Sequence, residues 1–107
     1  MNNKVLTLLG FASKAGKLSY GLDSVITTLS QKKSKLVLIS NDVSPKSQKE
    51  VNFHCEKHNV KAIILLDYDM QTLSHAVGKK CGIVSVNDES FSSGLISALE
   101  AISREEN

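Results

Sequence analysis

The chain has 107 residues, 41% of them apolar, which suits a single globular domain with its own core. Five residues are aromatic and none is Trp, which excludes a platform of several exposed rings for stacking single-stranded bases. Net charge is only +2, but residues 1–49 carry eight Lys against Asp23 and Asp42, while residues 50–107 carry four Lys and Arg104 against nine carboxylates; a basic first half points to an anionic partner.

In chain order, a first helix is predicted over residues 4–15. Its apolar residues Val5, Leu8, Leu9, Phe11, Ala12 and Ala15 wrap more than one face, so it is expected to be well buried. A helix stop at Gly16 and a short strand from Leu18 follow, and Gly21 opens a second helix over 22–31. Leu22, Val25, Ile26 and Leu29 make its apolar stripe at i, i+3, i+4, i+7. The apolar run 36–39 reads as a strand covered on both faces.

Ser44-Pro45 starts a third helix, a capping hydroxyl before Pro at the first helical position, and Val51, Cys55 and His58 share one of its faces. Residues 62–66 make another buried strand. Asp69 caps a fourth helix whose stripe is Met70, Leu73, Ala76 and Val77, and Gly78 ends it. Ile83, Val84 and Val86 form the last strand. Asn87 or Asp88 caps a fifth helix with Phe91, Leu95, Leu99 and Ile102 inward. Helices alternating with apolar strands predict a three-layer α/β/α sandwich around a small sheet of about four strands. The pattern leaves strand order open. One domain is expected over residues 1–102, with a frayed acidic tail at 103–107.

Several chemistries can be weighed from spacing. Two Cys without a Cys-x-x-Cys pair, and no signal peptide, fit a reduced cytoplasm. The run 36–40 is far shorter than the roughly 20 residues that span a bilayer. His54 and His58 sit one helical turn apart, but Cys55 follows His54 where the zinc-protease pattern needs Glu, so no metal and no cofactor is expected. The glycines lack both nucleotide-loop spacings, and no small-molecule substrate is expected. Ser40, Asn41 and Asp42 follow a buried strand, the usual place for an α/β active site. No His or second acid lies nearby to complete a mechanism, so no enzyme is expected. Cys81 follows Lys79 and Lys80, whose ammonium groups would favour a thiolate; a structural Cys at a strand start is the competing reading. Phe53 is either an exposed contact residue or a ring laid over a helix flank. Twelve of the thirteen cations are Lys, which acts as a point charge on phosphate where Arg forks onto guanine.

Taken together, Leu9-Gly10, Ala15-Gly16-Lys17-Leu18, Gly21, Lys35-Leu-Val-Leu-Ile, Asp42, Cys55, Asn59-Val60, Leu73 with Ala76, Gly78-Lys79 and Phe91 form a pattern in order and spacing. In that pattern the chain resembles the YlxQ-type branch of the L-seven-Ae and L-thirty-e ribosomal protein family over nearly its whole length. The resemblance implies the same sandwich fold and RNA as partner. Many members bind kink-turn RNA, a bent duplex with tandem sheared G·A pairs, at two places. The first maps to Gly21, Leu22, Asp23, Ser24 and Thr27, the second to Lys79, Lys80, Cys81, Gly82 and Ile83. Lys14, Lys17, Lys46 and Lys49 are expected to hold the flanking backbone. Members commonly carry Asn or Glu at position 23, Glu at 24 and Lys at 27, so Ser24 and Thr27 depart from the pattern. General RNA binding is therefore implied more strongly than reading of base edges.

The leading reading is a cytoplasmic, non-catalytic protein for structured, kink-turn-like or ribosomal RNA. The alternatives are a protein-interaction module on the same fold, using Phe53 and the acidic second half, and a thiol or phospho-acceptor protein using Cys81.

Overall fold

The computed structural model describes residues 4–106, and the side chains of residues 4–102. The element order is α1 (Lys4–Lys14), β1 (Leu18–Tyr20), α2 (Leu22–Ser30), β2 (Leu36–Ser40), α3 (Pro45–Lys57), β3 (Ala62–Leu65), α4 (Met70–Val77), β4 (Ile83–Val86) and α5 (Glu89–Glu106). The expected acidic tail at 103–107 falls outside the residues with described side chains.

All five residues of β2 are buried, and their alternation divides the interior in two. Leu36 and Leu38 join Val5, Leu9, Leu73, Leu95 and Val84 under α1, α4 and α5. Val37 and Ile39 join Val25, Leu29, Val51 and Cys55 under α2 and α3. A strand with this period-2 division must be covered on both faces, which is the expected α/β/α sandwich. The sheet order is β1-β4-β2-β3. β4 runs antiparallel to both neighbours, and β2 and β3 are parallel.

This topology gives the sheet two unlike ends. Tyr20, Ser40 and Leu65 finish their strands at the end where Ile83 begins β4; we term this the proximal end. Leu18, Leu36 and Ala62 begin theirs at the distal end, where β4 finishes at Val86. α2, α3 and α4 each follow a strand that finishes proximally, so their N-termini gather there.

Four local expectations need correction. The strand expected to be buried over 62–66 is the edge strand β3, which ends at Leu65; only Leu65 is buried, Ala62 and Ile63 are half-buried, and Ile64 and Leu66 are exposed. Phe11 is 56% exposed and Ala15 is exposed, so α1 buries one stripe (Val5, Leu9, Ala12) rather than its whole circumference. In α2, Thr28 is buried with Val25 and Leu29, while Leu22 and Ile26 are half-buried. His58 lies half-buried at the C-cap of α3, beyond the face shared by Val51 and Cys55.

Thr28 turns inward because its hydroxyl has partners there. It donates to the Ser24 carbonyl at 2.8 Å and lies 2.7 Å from Ser19 Oγ. Ser19 Oγ accepts from Asn87 Nδ2 at 2.9 Å. Asn87 Oδ1 accepts from Ser85 at 2.6 Å, and Ser85 shares a further hydrogen bond of 2.6 Å with Ser34. This chain of polar groups ties α2 to β1 and β4, and every buried side-chain polar atom among the described residues has a partner. Such a network stabilises only when complete. Asn87→Ala removes its central donor and acceptor together, so a loss of about 1–2 kcal/mol is expected, lowering the thermal midpoint by roughly 5–10 °C. Calorimetry checks this, and a midpoint within about 2 °C of wild type would contradict a stabilising role for the network.

Candidate nucleic-acid interface

Gly21 is the N-cap of α2, with φ 86° and ψ 160°. That region of backbone space is nearly exclusive to Gly, and another residue held there costs on the order of 1–3 kcal/mol. The strained turn lets the chain leave β1 and enter α2 at once. No side chain caps the helix. Its first intrahelical bond runs from Val25 N–H to the Gly21 carbonyl at 2.9 Å, so the amides of Leu22, Asp23 and Ser24 precede the ladder. Amides in that position, with the positive end of the helix dipole behind them, suit an anion or an electron-rich base edge.

The second predicted place is the loop 78–82 between α4 and β4. Asp69 caps the start of α4 by accepting from Thr72 N–H, and Gly78 ends the helix in the left-handed region. The loop then folds back onto α4: Cys81 N–H donates to Ser74 Oγ at 2.9 Å, and Ser74 Oγ donates to the Cys81 carbonyl at 3.0 Å. Gly82 is needed for space. A Cβ there would stand 2.9 Å from Val43 Cγ2 and 3.0 Å from Met70 Cε.

The two places meet. Gly21 N–H donates to the Ile83 carbonyl at 2.8 Å, extending the β1–β4 pairing by one bond. Lys79 Nζ lies 5.2 Å from the centre of the Tyr20 ring, within range of a cation–π attraction. The Tyr20 hydroxyl lies 2.5 Å from Ser13 Oγ, which donates to the Val77 carbonyl at 2.6 Å. Sequence reasoning missed Ser13, Tyr20 and Ser74 as positioning residues, because their partners are separated in sequence or lie across a turn that spacing does not reveal.

The predicted residues do not all join this surface in the same way. Asp23, Ser24, Thr27, Lys79 and Lys80 are exposed, and Leu22 is half-buried. Cys81 and Ile83 are only 5% and 3% exposed, so their side chains belong to the two core clusters, and this loop offers a ligand its backbone and its lysines. Lys46 and Lys49 stand on the first turns of α3, at the proximal end. Lys14 shares a groove between α1 and α4 with His75 and Gly78. Lys17 lies elsewhere: its carbonyl accepts from Asn87 N–H at 2.8 Å, which places it at the distal end.

The competing chemistries fare differently. Burial pushes the Cys81 thiol up, and Sγ donates to the Lys79 carbonyl at 3.4 Å, so the adjacent lysines do not produce a thiolate. Asp42 is used structurally: Oδ1 accepts from Ser40 Oγ at 3.0 Å and from Met70 N–H at 2.9 Å, adding a second acceptor at the start of α4. Asn41 Nδ2 donates to the Leu66 carbonyl at 2.9 Å. Among the described residues no three His, Cys, Asp or Glu side chains gather where they could hold a metal. None of the described helices is long and apolar enough to cross a membrane. Phe53 is 62% exposed, set edge-on to His54.

Comparison with known proteins places this geometry in context. The sequence profile of the "Ribosomal protein L7Ae/L30e/S12e/Gadd45 family" matches residues 3–96. The chain is 33% identical over 94 residues to the "RNA-binding protein YlxQ" of Bacillus subtilis (strain 168), an alignment covering 87% of this chain and 92% of that protein. It is 27% identical over 88 residues to a protein of the same name from Enterococcus faecium, covering 82% of this chain and 84% of the other. A solved structure of a protein of unknown function from Bacillus halodurans C superposes with a TM-score of 0.86 at 26% identity, covering 92% of this chain and 99% of that one. The Giardia lamblia 15.5kD RNA binding protein shares the fold, with a TM-score of 0.71 at 15% identity, covering 94% and 92% of the two chains.

Both thiols are expected to be unreactive in the folded protein. Labelling with a thiol-disulfide reagent at pH 8 should be slow for Cys55 and Cys81 and complete on unfolding; rapid labelling of Cys81 in the native state would restore the thiol reading. The same burial has a pH signature. Cys55 is pushed up to about 11, while an unfolded thiol ionises near pH 8.5. The unfolded chain therefore loses this proton first. The stability gained from the neutral thiol is complete below about pH 8.5 and falls as pH rises toward 11.

Proposed function

The chain belongs to the ribosomal protein L7Ae/L30e/S12e/Gadd45 family, and from that premise we propose that it is a cytoplasmic, non-catalytic protein that binds structured RNA. The observation that carries this reading is the 2.8 Å hydrogen bond from Gly21 N–H to the Ile83 carbonyl. It joins the uncapped start of α2 to the basic loop 78–82, so amides, a short acid and two lysines face one ligand. Irregular RNA with unpaired or sheared bases suits such a surface: its bases are open to backbone amides and polar side chains, and its phosphates to Lys. Asp23 is exposed at the start of α2 and offers a carboxylate to guanine N–H groups. Kink-turn RNA, on the ribosome or elsewhere, is the ligand we assign. The relatives named for RNA binding support this reading.

A second reading rests on different residues. Phe53 and Leu66 are 62% and 79% exposed, large apolar surfaces that a protein partner could cover. On that reading the fold is kept and RNA binding is weak.

Binding to structured RNA is expected to be strongly salt-dependent. With about four to six phosphates neutralised, affinity should fall on the order of 100-fold or more between 50 and 200 mM salt. Lys79→Ala with Lys80→Ala should weaken all RNA ligands about equally and flatten the salt slope by roughly one to two units. Binding equal to wild type would remove the loop from the interface. No binding even at low salt would favour the protein-interaction reading.

Position 27 tests the pose itself. Thr27 is exposed and lies one turn beyond Asp23, on the same face of α2. Thr27→Lys should add a charge-assisted contact of roughly 1.5–3 kcal/mol at best, about tenfold or more in affinity. Titration against a kink-turn RNA and a plain duplex of equal length separates the outcomes. A gain confined to the kink-turn supports the pose; equal gains on both would mean general charge attraction and would remove the kink-turn assignment.

A further inference from the structure

The basic first half does not converge on the proximal surface. Lys17, Lys32, Lys33 and Lys35 all lie toward the distal end, joined there by Lys57 and Lys61 from the second half. Lys35 N–H donates to the Val86 carbonyl at 2.8 Å, and Asn87 N–H to the Lys17 carbonyl at 2.8 Å, so both lysines border the finish of β4. Here α2 and α3 end side by side and enclose a groove of about 550 Å³.

The walls of this groove are unusual in two respects. Its charged lining is entirely basic, with Lys32, Lys35 and Lys57 beside His58 and no carboxylate. It also contains the two non-Gly residues with positive φ among those described, Lys32 at 61° and Asn59 at 57°, each just past the end of its helix. Lysines at helix C-termini offset the negative end of the dipole. That role accounts for one cation per helix end. It does not account for three in one groove with Lys33 and Lys61 exposed beside it.

We propose that this distal groove is a second phosphate-binding surface, which takes the backbone of an RNA segment other than the one held at the start of α2. The proposal rests on the RNA-binding reading above and adds a second contact to it. The chemistry of the groove favours nucleic acid over an acidic protein. Protein interfaces enrich aromatic residues, Met and Arg at their centres and deplete Lys. This groove has none of the favoured types; its floor is Leu29 and Val60 and its polar lining adds Ser34 and Asn59. Lysines set as point charges, without Arg to fork onto bases, suit phosphates read without sequence. The proximal and distal ends lie at opposite ends of β2, roughly 16 Å apart for its five residues at about 3.3 Å each. A chain with both surfaces occupied would bridge two RNA segments.

The test uses the full chain and two probes, a kink-turn RNA and a plain 12-bp RNA duplex. The groove variant is Lys32→Asn, Lys35→Gln and Lys57→Gln; Asn suits the left-handed backbone at position 32, and a control with Lys35→Arg and Lys57→Arg keeps the charge. Thermal melting establishes that each variant folds. The groove variant should bind the duplex at least tenfold more weakly at 50 mM salt, with a salt slope shallower by roughly two units. The Arg control should bind it like wild type. Protein saturated with kink-turn RNA should still capture the labelled duplex. Duplex binding unchanged in the groove variant overturns the proposal. So does tighter binding of a poly-glutamate peptide than of the duplex at this groove, which would assign it to an acidic protein. Failure of kink-turn binding with duplex binding intact would instead strike the proximal reading alone.

Discussion

The antiparallel pairing of β1 with β4 is the constraint from which the candidate site follows. Three residues of β1 are held in register, Leu18 opposite Val86 and Tyr20 opposite Val84. Because that register ends at Tyr20, Gly21 falls opposite Ile83 and donates to its carbonyl. The start of α2 and the loop 78–82, some 60 residues apart in sequence, thereby share one surface. A strand of three residues is weak alone. It is fixed from both sides, by Leu18 in the core and by the polar chain from Ser19 through Asn87 to Ser85 and Ser34. Rigid elements hold the amides and lysines in place, and the loop between them is pinned by Ser74 rather than left to solvent.

Electrostatics divides the molecule along the same axis. At the proximal end, helix N-termini and Lys46, Lys49, Lys79 and Lys80 are interleaved with Asp23, Asp42 and Asp69. Two of these acids are committed to α4, Asp42 through Met70 N–H and Asp69 through Thr72 N–H. Hydrogen bonds from Thr72, its backbone N–H first and its side chain second, hold the Asp69 carboxyl below the usual carboxylate range. Asp23 is the acid left facing outward beside the uncapped amides, which fits a group that accepts hydrogen bonds from a ligand. The distal end carries lysines at two helix C-termini. A modest net charge thus conceals two basic regions of different character, one mixed and built around backbone donors, the other dominated by Lys.

Much of the fold could be read from the chain because local rules agreed with one another. Ser44-Pro45, Asp69 and Gly78 each sit at the helix boundary that their chemistry favours. The five-residue run of β2 carried the sandwich, since an uninterrupted apolar strand has no face to give to water. What could not be read depends on partners distant in sequence. Strand order follows from long-range register. Thr28 points inward because Ser19 of β1, itself held by Asn87, supplies a hydroxyl partner for it. Phe11 follows the helical period of a core residue, yet it stands on the rim of the groove shared by Lys14 and His75. Cys81 shows a competition between two effects. Neighbouring lysines in sequence favour a thiolate, but Lys79 reaches out to Tyr20 while the sulfur points into the core, and desolvation decides the outcome. For the candidate site, the residue types were legible through the family pattern, but the meeting of its two halves, and the separation of Lys17 from them, were not.

The most direct test of the account is amide chemical-shift mapping of the ¹⁵N-labelled chain during titration with a kink-turn RNA. The account predicts that the largest changes fall on Leu22, Asp23 and Ser24 and on residues 79–82 together, at the same RNA concentration, since one ligand spans both. Changes at one of these segments without the other, or changes confined to the exposed surface around Phe53 and Leu66, would contradict it.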